Sequence, residues 1–468
     1  MPPSEAVFSP APAPPAGAGT IAPVRAAVSG WGGGPRAPVM LARPADADAL
    51  RAALDGHRGA IARGMGRSYG DAAQLAGGLV LDTTGMRTFE LDREGGTVTA
   101  QAGVTLGELL GALVPAGWVL PVVPGTQHVT VGGAIASDIH GKNHGSAGTF
   151  GSHVQALGLL TSAGEVLELA PDRGSELFAA TLGGMGLTGV ILWARIALRA
   201  VAGALLRVDT DRVRDLDEAL AALIAPGGPH RVAWLDLLGS ASGRGIVTRA
   251  EHHGAGDAYA QAGARGGATV RSRATVPERW PAGLLRASTV RAFNELRYRR
   301  APRRDRGHVQ AFGAHMFPLD SLRAWPRLYG PEGLLQYQLV VPLGAEHVLG
   351  TVIGQLRRAR VPCYLAVLKD FGPANQAPLS FPLEGWTLAL DLPRAAPGVG
   401  ELLQRFDTLV AGANGRVYLS KDARLAPDAL AAMYPRLEHW RSVRDRADPE
   451  RLWRSDLGLR TGLIRDER

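Results

Sequence analysis

At 468 residues the chain is too long for one ordinary hydrophobic core, so at least two domains are expected. Its 46% hydrophobic and 20% charged residues exclude a disordered or fibrous protein, and its apolar runs are far shorter than the roughly 20 residues that cross a bilayer. A net charge of +8 calls for an anionic partner, but the absence of zinc-finger spacing or a basic heptad register argues against nucleic acid and leaves a membrane surface or a phosphorylated substrate.

Residues 1–35 open on a Pro/Ala tract with no basic segment leading into an apolar core, which reads as a disordered tail and not a signal peptide. The single cysteine, Cys363, allows no intramolecular disulfide and fits a reducing compartment. A cytoplasmic protein, or one peripheral to the inner membrane, is therefore expected.

Residues 36–200 alternate short strands and helices. GAIARG, GGLVLDTT and TVTAQAGV are brief apolar runs bounded by turn residues, as strands are. Thr105 and Glu108 have the spacing of a capping box before a helix that stops at Gly117. A second capped helix is predicted from Ser175, and GVILWARIALRA is a strand. In residues 201–414, DLDEALAALIA predicts a helix, and RVAWLDLLG, GLLQYQLVVPL and GWTLALDLP predict strands of one sheet. The Gly/Ala/Arg-rich segment from Glu251 to Trp280 between them predicts a long mobile loop. RYRRAPRRDR, from Arg297 to Arg306, is either a solvated loop or an anion or membrane-surface patch. Residues 415–468 return to a strand, RVYLS, and then one long helix.

Two glycine-rich loops carry the chemistry. ARGMGRSYGD misses the dinucleotide fingerprint, because Gly64 and Gly66 fit but the third glycine comes one position late, at Gly70. It can still form a backbone nest for an anion, or be a plain tight turn. In PGTQHVTVGGAIASDIHGKNHGSAGTFGSH, Gly132 and Gly133 begin a small-residue helix whose positive end suits a pyrophosphate. The spacing of its histidines, 128, 140, 144 and 153, argues against a metal site, and no metal is expected.

These loops, about 60 residues apart, together with GGMGLTGVI, resemble the signature of flavin oxidases of the vanillyl-alcohol-oxidase type. More narrowly, DIHGKNHGSAGTFGSHV, GLLQYQLVVP, FGPANQAPLSFPLEGW and GRVYLSKDAR resemble the decaprenylphosphoryl-β-D-ribose 2'-oxidase group, over nearly the whole chain. The resemblance implies an α+β fold: a PCMH-type FAD-binding domain (36–200), a substrate-binding α+β domain on an antiparallel sheet (201–414), and a C-terminal segment (415–468) returning to the FAD domain.

It also implies FAD lined by Arg63, Gly64, Met65, Gly66, Arg67, Ser68, Tyr69, Gly70 and Asp71, and by Gly125, Thr130, Val131, Gly132 and Gly133. His140, Gly141, Lys142, Asn143 and His144 would run past the isoalloxazine, with Ile191 and Tyr418 also at the cofactor. Many relatives link FAD covalently through a histidine in the first loop; Arg67 stands at that position, so the flavin is expected to be non-covalent.

On the substrate side the resemblance implies Lys369, Lys421, Gln338 and Gln336, although either glutamine is equally compatible with a solvated surface position. Ala389 replaces a cysteine of the mycobacterial members to which nitroaromatic inhibitors attach, Thr387 replaces an asparagine, and Met316 replaces an aromatic residue. The implied reaction takes hydride from the ribose C2 carbon to flavin N5, giving a 2'-keto sugar on the way to arabinose, with a keto-reductase as partner enzyme. A base must take the hydroxyl proton; His140, Lys421 and Tyr69 are the candidates, unranked. An oxygen-using sugar-alcohol or aldonolactone oxidase, and a non-catalytic scaffold, are the alternatives.

Overall fold

The computed structural model describes residues 22–239, 243–254, 267–278 and 285–465. The first half holds two sheets. One has four strands in the order Val24–Val28, Ala37–Ala42, Leu79–Asp82, Ala60–Arg63, the last two pairings parallel. The other is antiparallel, in the order Phe89–Asp92, Thr97–Gln101, Val190–Ala197, Val154–Leu160, Val166–Leu169. The expected capping box is present: the Thr105 hydroxyl accepts from Glu108 N, and the Glu108 carboxylate accepts from Thr105 N at 2.9 Å. Two backbone donors that the helix start leaves over are thereby satisfied.

The second half is built on one antiparallel sheet of eight strands. Its order is Arg304–Ala311, Leu205–Val213, Arg244–His252, His230–Asp236, Leu365–Phe371, Gly385–Pro393, Leu334–Pro342, Arg416–Val417. Successive side chains of a strand point to opposite faces, so residue parity decides what each face contains. Leu335, Tyr337, Leu339, Leu388, Leu390, Ala366 and Leu368 lie in one core with the helices Glu346–Ala359 and Val399–Gly412. The opposite parity forms rows across the sheet: Gln338, Ala389, Val367 and Trp234 are successive register partners, as are Gln336, Asp391 and Leu365. That face looks toward the glycine loops of the first half.

The C-terminal segment stitches the halves together. Val417 pairs with Leu339, and Tyr418 N donates to Gln338 O at 3.0 Å. Ser420 O then accepts from Tyr69 N, Trp440 Nε1 donates to Ala180 O, and Trp453 bridges to Ala60.

Several local expectations need correction. The tail is not disordered throughout: Val24–Val28 forms a strand, because the edge of Ala37–Ala42 supplies the backbone partners an isolated tract lacks. Residues 1–21 lie outside the described residues. The helix at Ser175 is entered through Gly174 in the left-handed region, with no side-chain cap. Glu251 and His252 belong to a strand, Ala274–Thr275 pairs in parallel with Leu322–Arg323, and 255–266 and 279–280 of the expected loop lie outside the described residues. RVYLS holds only a two-residue strand, and the final helix is broken into Pro427–Met433 and Leu437–Ala447.

A fully buried ion pair joins Arg444 (2% exposed) to Asp448 (0%) at 2.8 Å, and the Asp448 carboxylate also accepts from the backbone N–H groups of Leu452 and Trp453. Asp448→Ala leaves two backbone donors unpaired and the buried Arg444 with only the half-exposed Asp445 as counter-charge. A loss of about 3–5 kcal/mol is expected, read as a lowered urea midpoint; an unchanged midpoint would refute it.

Candidate active site

A single cavity of about 810 Å³ runs between the glycine loops and the polar parity of the large sheet. The first loop begins where the strand Ala60–Arg63 ends. Gly66 has φ +60°, and a Cβ there would meet the Arg63 guanidinium at 2.3 Å. Arg63 is a strut: its two terminal nitrogens donate to Ala73 O (3.0 Å) and Ser29 O (2.7 Å). A Cβ on Gly64 would fall 2.2 Å from Thr130 Oγ1, so only glycine lets the second loop approach. Thr130 caps the helix Val131–Ala136 by accepting from Gly133 N at 3.2 Å. Asp320 fixes the approach to that helix, accepting from Thr126 Oγ1 (2.7 Å) and Gln127 N (2.8 Å). Arg67 stacks on Trp31, 3.6 Å from the ring centroid, and donates to His128 O; burial pulls its pKa down to about 10.

The segment Asp138–His144 is pinned from both sides. Asp138, at φ +38° and fully buried, accepts from Gly151 N (2.9 Å), Ser380 Oγ (2.6 Å) and Asn375 Nδ2 (2.6 Å). FGPANQAPLSFP, a motif carrying the family resemblance, thus supplies the clamp on the loop that presents His140. A hydrogen-bonded row then crosses the sheet. Thr387 Oγ1 donates to Leu339 O (2.8 Å) and accepts from Gln338 Nε2 (2.9 Å), whose other proton points at His140 Nε2 (3.0 Å). This arrangement puts the imidazole proton on Nδ1, which lies 3.4 Å from Lys369 Nζ. Burial, with the Lys369 and Lys421 charges, holds the His140 pKa well below its ordinary value, so the ring is neutral.

A second polar group lies one row further along the same face of the sheet. The Gln336 amide donates to Asp391 Oδ1, and Lys421 Nζ sits 5.8 Å from the centroid of the Tyr69 ring. Burial lowers the Lys421 pKa to about 8 against the opposing pull of Asp391, and raises Asp391 to about 6. Lys369 is held well below the ordinary lysine value by burial and by the Lys421 and Lys142 charges. Burial raises the Tyr69 phenol well above its ordinary value.

Most of the expected site residues face this cavity: Gly64 to Tyr69, Gly125, Thr130, Gly132, Gly133, His140 to Lys142, Ile191 and Tyr418 among those expected at the cofactor. Lys369, Lys421, Gln336, Ala389 and Met316 line it among those expected at the substrate. Lys142, whose pKa burial lowers to about 7, donates its ammonium to His315 O.

Eight residues do not line it. Arg63 is the strut already described, and Val131 is buried in the core. Gly70 packs on the backbone of Asp422, and Asp71 pairs with Arg460 at 2.7 Å. Asn143 donates to Pro121 O, and His144 accepts from Gly372 N. Gln338 and Thr387 stand behind His140 at 1% and 0% exposure and position it; neither glutamine is solvated. Asp138, Asp320, Asp391 and Trp31 were not foreseen. Each is one polar or aromatic residue in an unremarkable run, given its role only by long-range pairing.

The residues present suit FAD. Gly125 borders the cavity with no atom within 4 Å of where a Cβ would sit, and Arg67 lines it as a cation near the two loops. Bare backbone and a cation fit a pyrophosphate, and the large, mostly apolar remainder fits a flat ring system. Residues 38–170 match the family model described as FAD binding domain. The fold and site thus define an FAD-dependent oxidoreductase.

The chain is 40% identical over 425 residues to the decaprenylphosphoryl-beta-D-ribose oxidase of Mycolicibacterium smegmatis, covering 88% of this chain and 91% of that one. It is 39% identical over 373 residues to an uncharacterized Streptomyces coelicolor protein from the mprA 5' region, spanning 77% of this chain and 100% of the other. The L-gulonolactone oxidase of Bos taurus is 35% identical over only 131 residues, 28% of this chain and 29% of its own. This chain belongs to the decaprenylphosphoryl-β-D-ribose oxidase family.

Gly64→Ala forces Thr130 away from the first loop. The purified variant is expected to carry a severalfold lower ratio of visible flavin absorbance to protein absorbance; full flavin occupancy would show that the loop contact is dispensable.

Proposed function

We propose that this chain oxidises the 2'-hydroxyl of a polyprenylphosphoryl-β-D-ribose to the 2'-keto sugar, the first half of an epimerisation to arabinose for cell-wall polysaccharide that a separate keto-reductase completes. The observation that carries this reading is the meeting of two buried lysines with the neutral His140 at one cavity, in a chain aligned with the named relative over most of its length. FAD, when bound, supplies the hydride acceptor.

Protonation states rank the candidates for the hydroxyl proton. Tyr69 stays a phenol at neutral pH and can donate but not accept. His140 has Nε2 engaged by Gln338 and resists becoming charged, so it orients and does not store the proton. Lys369, whose pKa burial holds well below the ordinary lysine value, is the acceptor we assign. Lys421, beside Asp391, retains more of its charge and supplies the cation that offsets negative charge developing in the reaction. Non-covalent flavin follows from Arg67 at the linking position, so acid precipitation should release it. The arginine-rich surface near the exposed Phe293 and Leu296 suits peripheral contact with an anionic membrane surface, from which a lipid-linked substrate would come. No helix among the described residues is long and apolar enough to cross a membrane.

Anaerobic addition of farnesylphosphoryl-β-D-ribofuranose is expected to bleach the flavin, whereas alditols and aldonolactones leave it yellow. Bleaching by a lactone instead would select the oxygen-using alternative, to which the L-gulonolactone oxidase match lends only 28% of this chain. Lys421→Ala should abolish bleaching while retaining flavin; unchanged turnover would remove its role.

Turnover should also be bell-shaped in pH. It rises as Lys369 loses its proton, well below the ordinary lysine range, and falls as Lys421 loses its charge near about 8. Asp391→Asn deletes the carboxylate that raises the Lys421 pKa, so the falling limb should move to lower pH. A limb that stays in place would detach Asp391 from Lys421.

A further inference from the structure

Arg297 lies in the last turn of the helix Ala287–Arg300, and it differs in its surroundings from the arginines near it. Arg299 pairs with Glu295 at 2.5 Å, Arg244 with Asp236 at 2.7 Å, and Arg306 with Asp211 at 2.7 Å. Arg297 has no carboxylate partner among the described residues. Its guanidinium lies over Trp234, 4.8 Å from the ring centroid, and lines the cavity. The neighbouring protein removes water from it without supplying a counter-charge, and its pKa falls accordingly.

Its position along the sheet is equally specific. Trp234 is the register partner of Val367, and Lys369 lies two residues further on the same face of that strand, about 7 Å away. The floor of the cavity thus leads from the indole under Arg297 to the Lys369–His140 pair over a distance on the scale of a sugar phosphate. A guanidinium held on an indole face, with no carboxylate paired to it, matches the geometry of a phosphate oxygen pair better than a mobile ammonium would.

We propose that Arg297 is the phosphate receptor of the substrate cavity: it binds the anionic phosphate of a prenyl-linked ligand and sets how far the attached group reaches toward Lys369. The sugar and the prenyl chain rest on the function proposed above; the recognition of a phosphate by Arg297 does not.

Farnesyl phosphate, which lacks the sugar, is the probe, titrated calorimetrically into the FAD-loaded protein. Arg297→Ala is expected to weaken its binding about tenfold or more, and Arg297→Lys by less, because a charge-assisted pair is lost in the first and only its fork geometry in the second. Farnesol, carrying no charge, should bind wild type and variants alike, and flavin content should be unchanged. Equal farnesyl phosphate affinity in wild type and Arg297→Ala, or an equal loss for farnesol, would overturn the assignment. If farnesyl phosphate behaves as expected but the ribose ligand fails to bleach the flavin, the phosphate site stands and the sugar reading falls.

Discussion

The hydrogen-bonded row from Leu339 O through Thr387 and Gln338 to His140 is the constraint on which the site depends. It lets a strand of the large sheet dictate the tautomer of a histidine in the other half of the molecule. With the imidazole proton on Nδ1, the ring faces Lys369 as a donor, and a neutral amine is the partner that suits it. Burial acts in the same direction on both groups, since neither charge has a carboxylate close enough to offset its desolvation. Burial pulls both lysines down, and each has one carboxylate opposing it, Asp370 for Lys369 and Asp391 for Lys421.

Sheet parity makes this arrangement possible. The residues of one parity are aliphatic and seal the helices to the sheet, while the alternate residues include Gln336, Gln338, Lys369 and Asp391. A strand buried on both faces ordinarily reads as a continuous apolar run. Here buried polar residues are retained: both amide nitrogens and Asp391 Oδ1 are paired along the sheet, while Gln336 Oε1, Gln338 Oε1 and Asp391 Oδ2 have no protein partner. A shift of one residue in register would place the polar set in the aliphatic core, which ties correct strand pairing to a functional site.

Local signals were legible wherever the chemistry is local. The capping box at Thr105, the short strands bounded by glycine and the glycine loops at Gly64 and Gly132 follow from residues a few positions apart. The family motifs placed the two lysines and His140 in one region. What could not be read is what long-range pairing decides. Val24–Val28 is a strand because of its neighbour, and Gln338 lies behind His140 instead of in the cavity because Thr387 is opposite it on the next strands. Asp138 and Asp320 are invisible for the same reason, each acting on partners more than a hundred residues away.

The topology has a consequence for how the protein matures. Tyr418 and Lys421 wall a cavity whose opposite wall is built from residues before 200, and Ser420 is hydrogen-bonded to Tyr69. During synthesis the N-terminal half emerges before the residues that clamp its glycine loops, with one side of the flavin compartment missing. Cofactor capture is therefore coupled to completion of translation. A chain that stalls before its last segment has two partly finished half-sites and no closed compartment in which to retain a flavin.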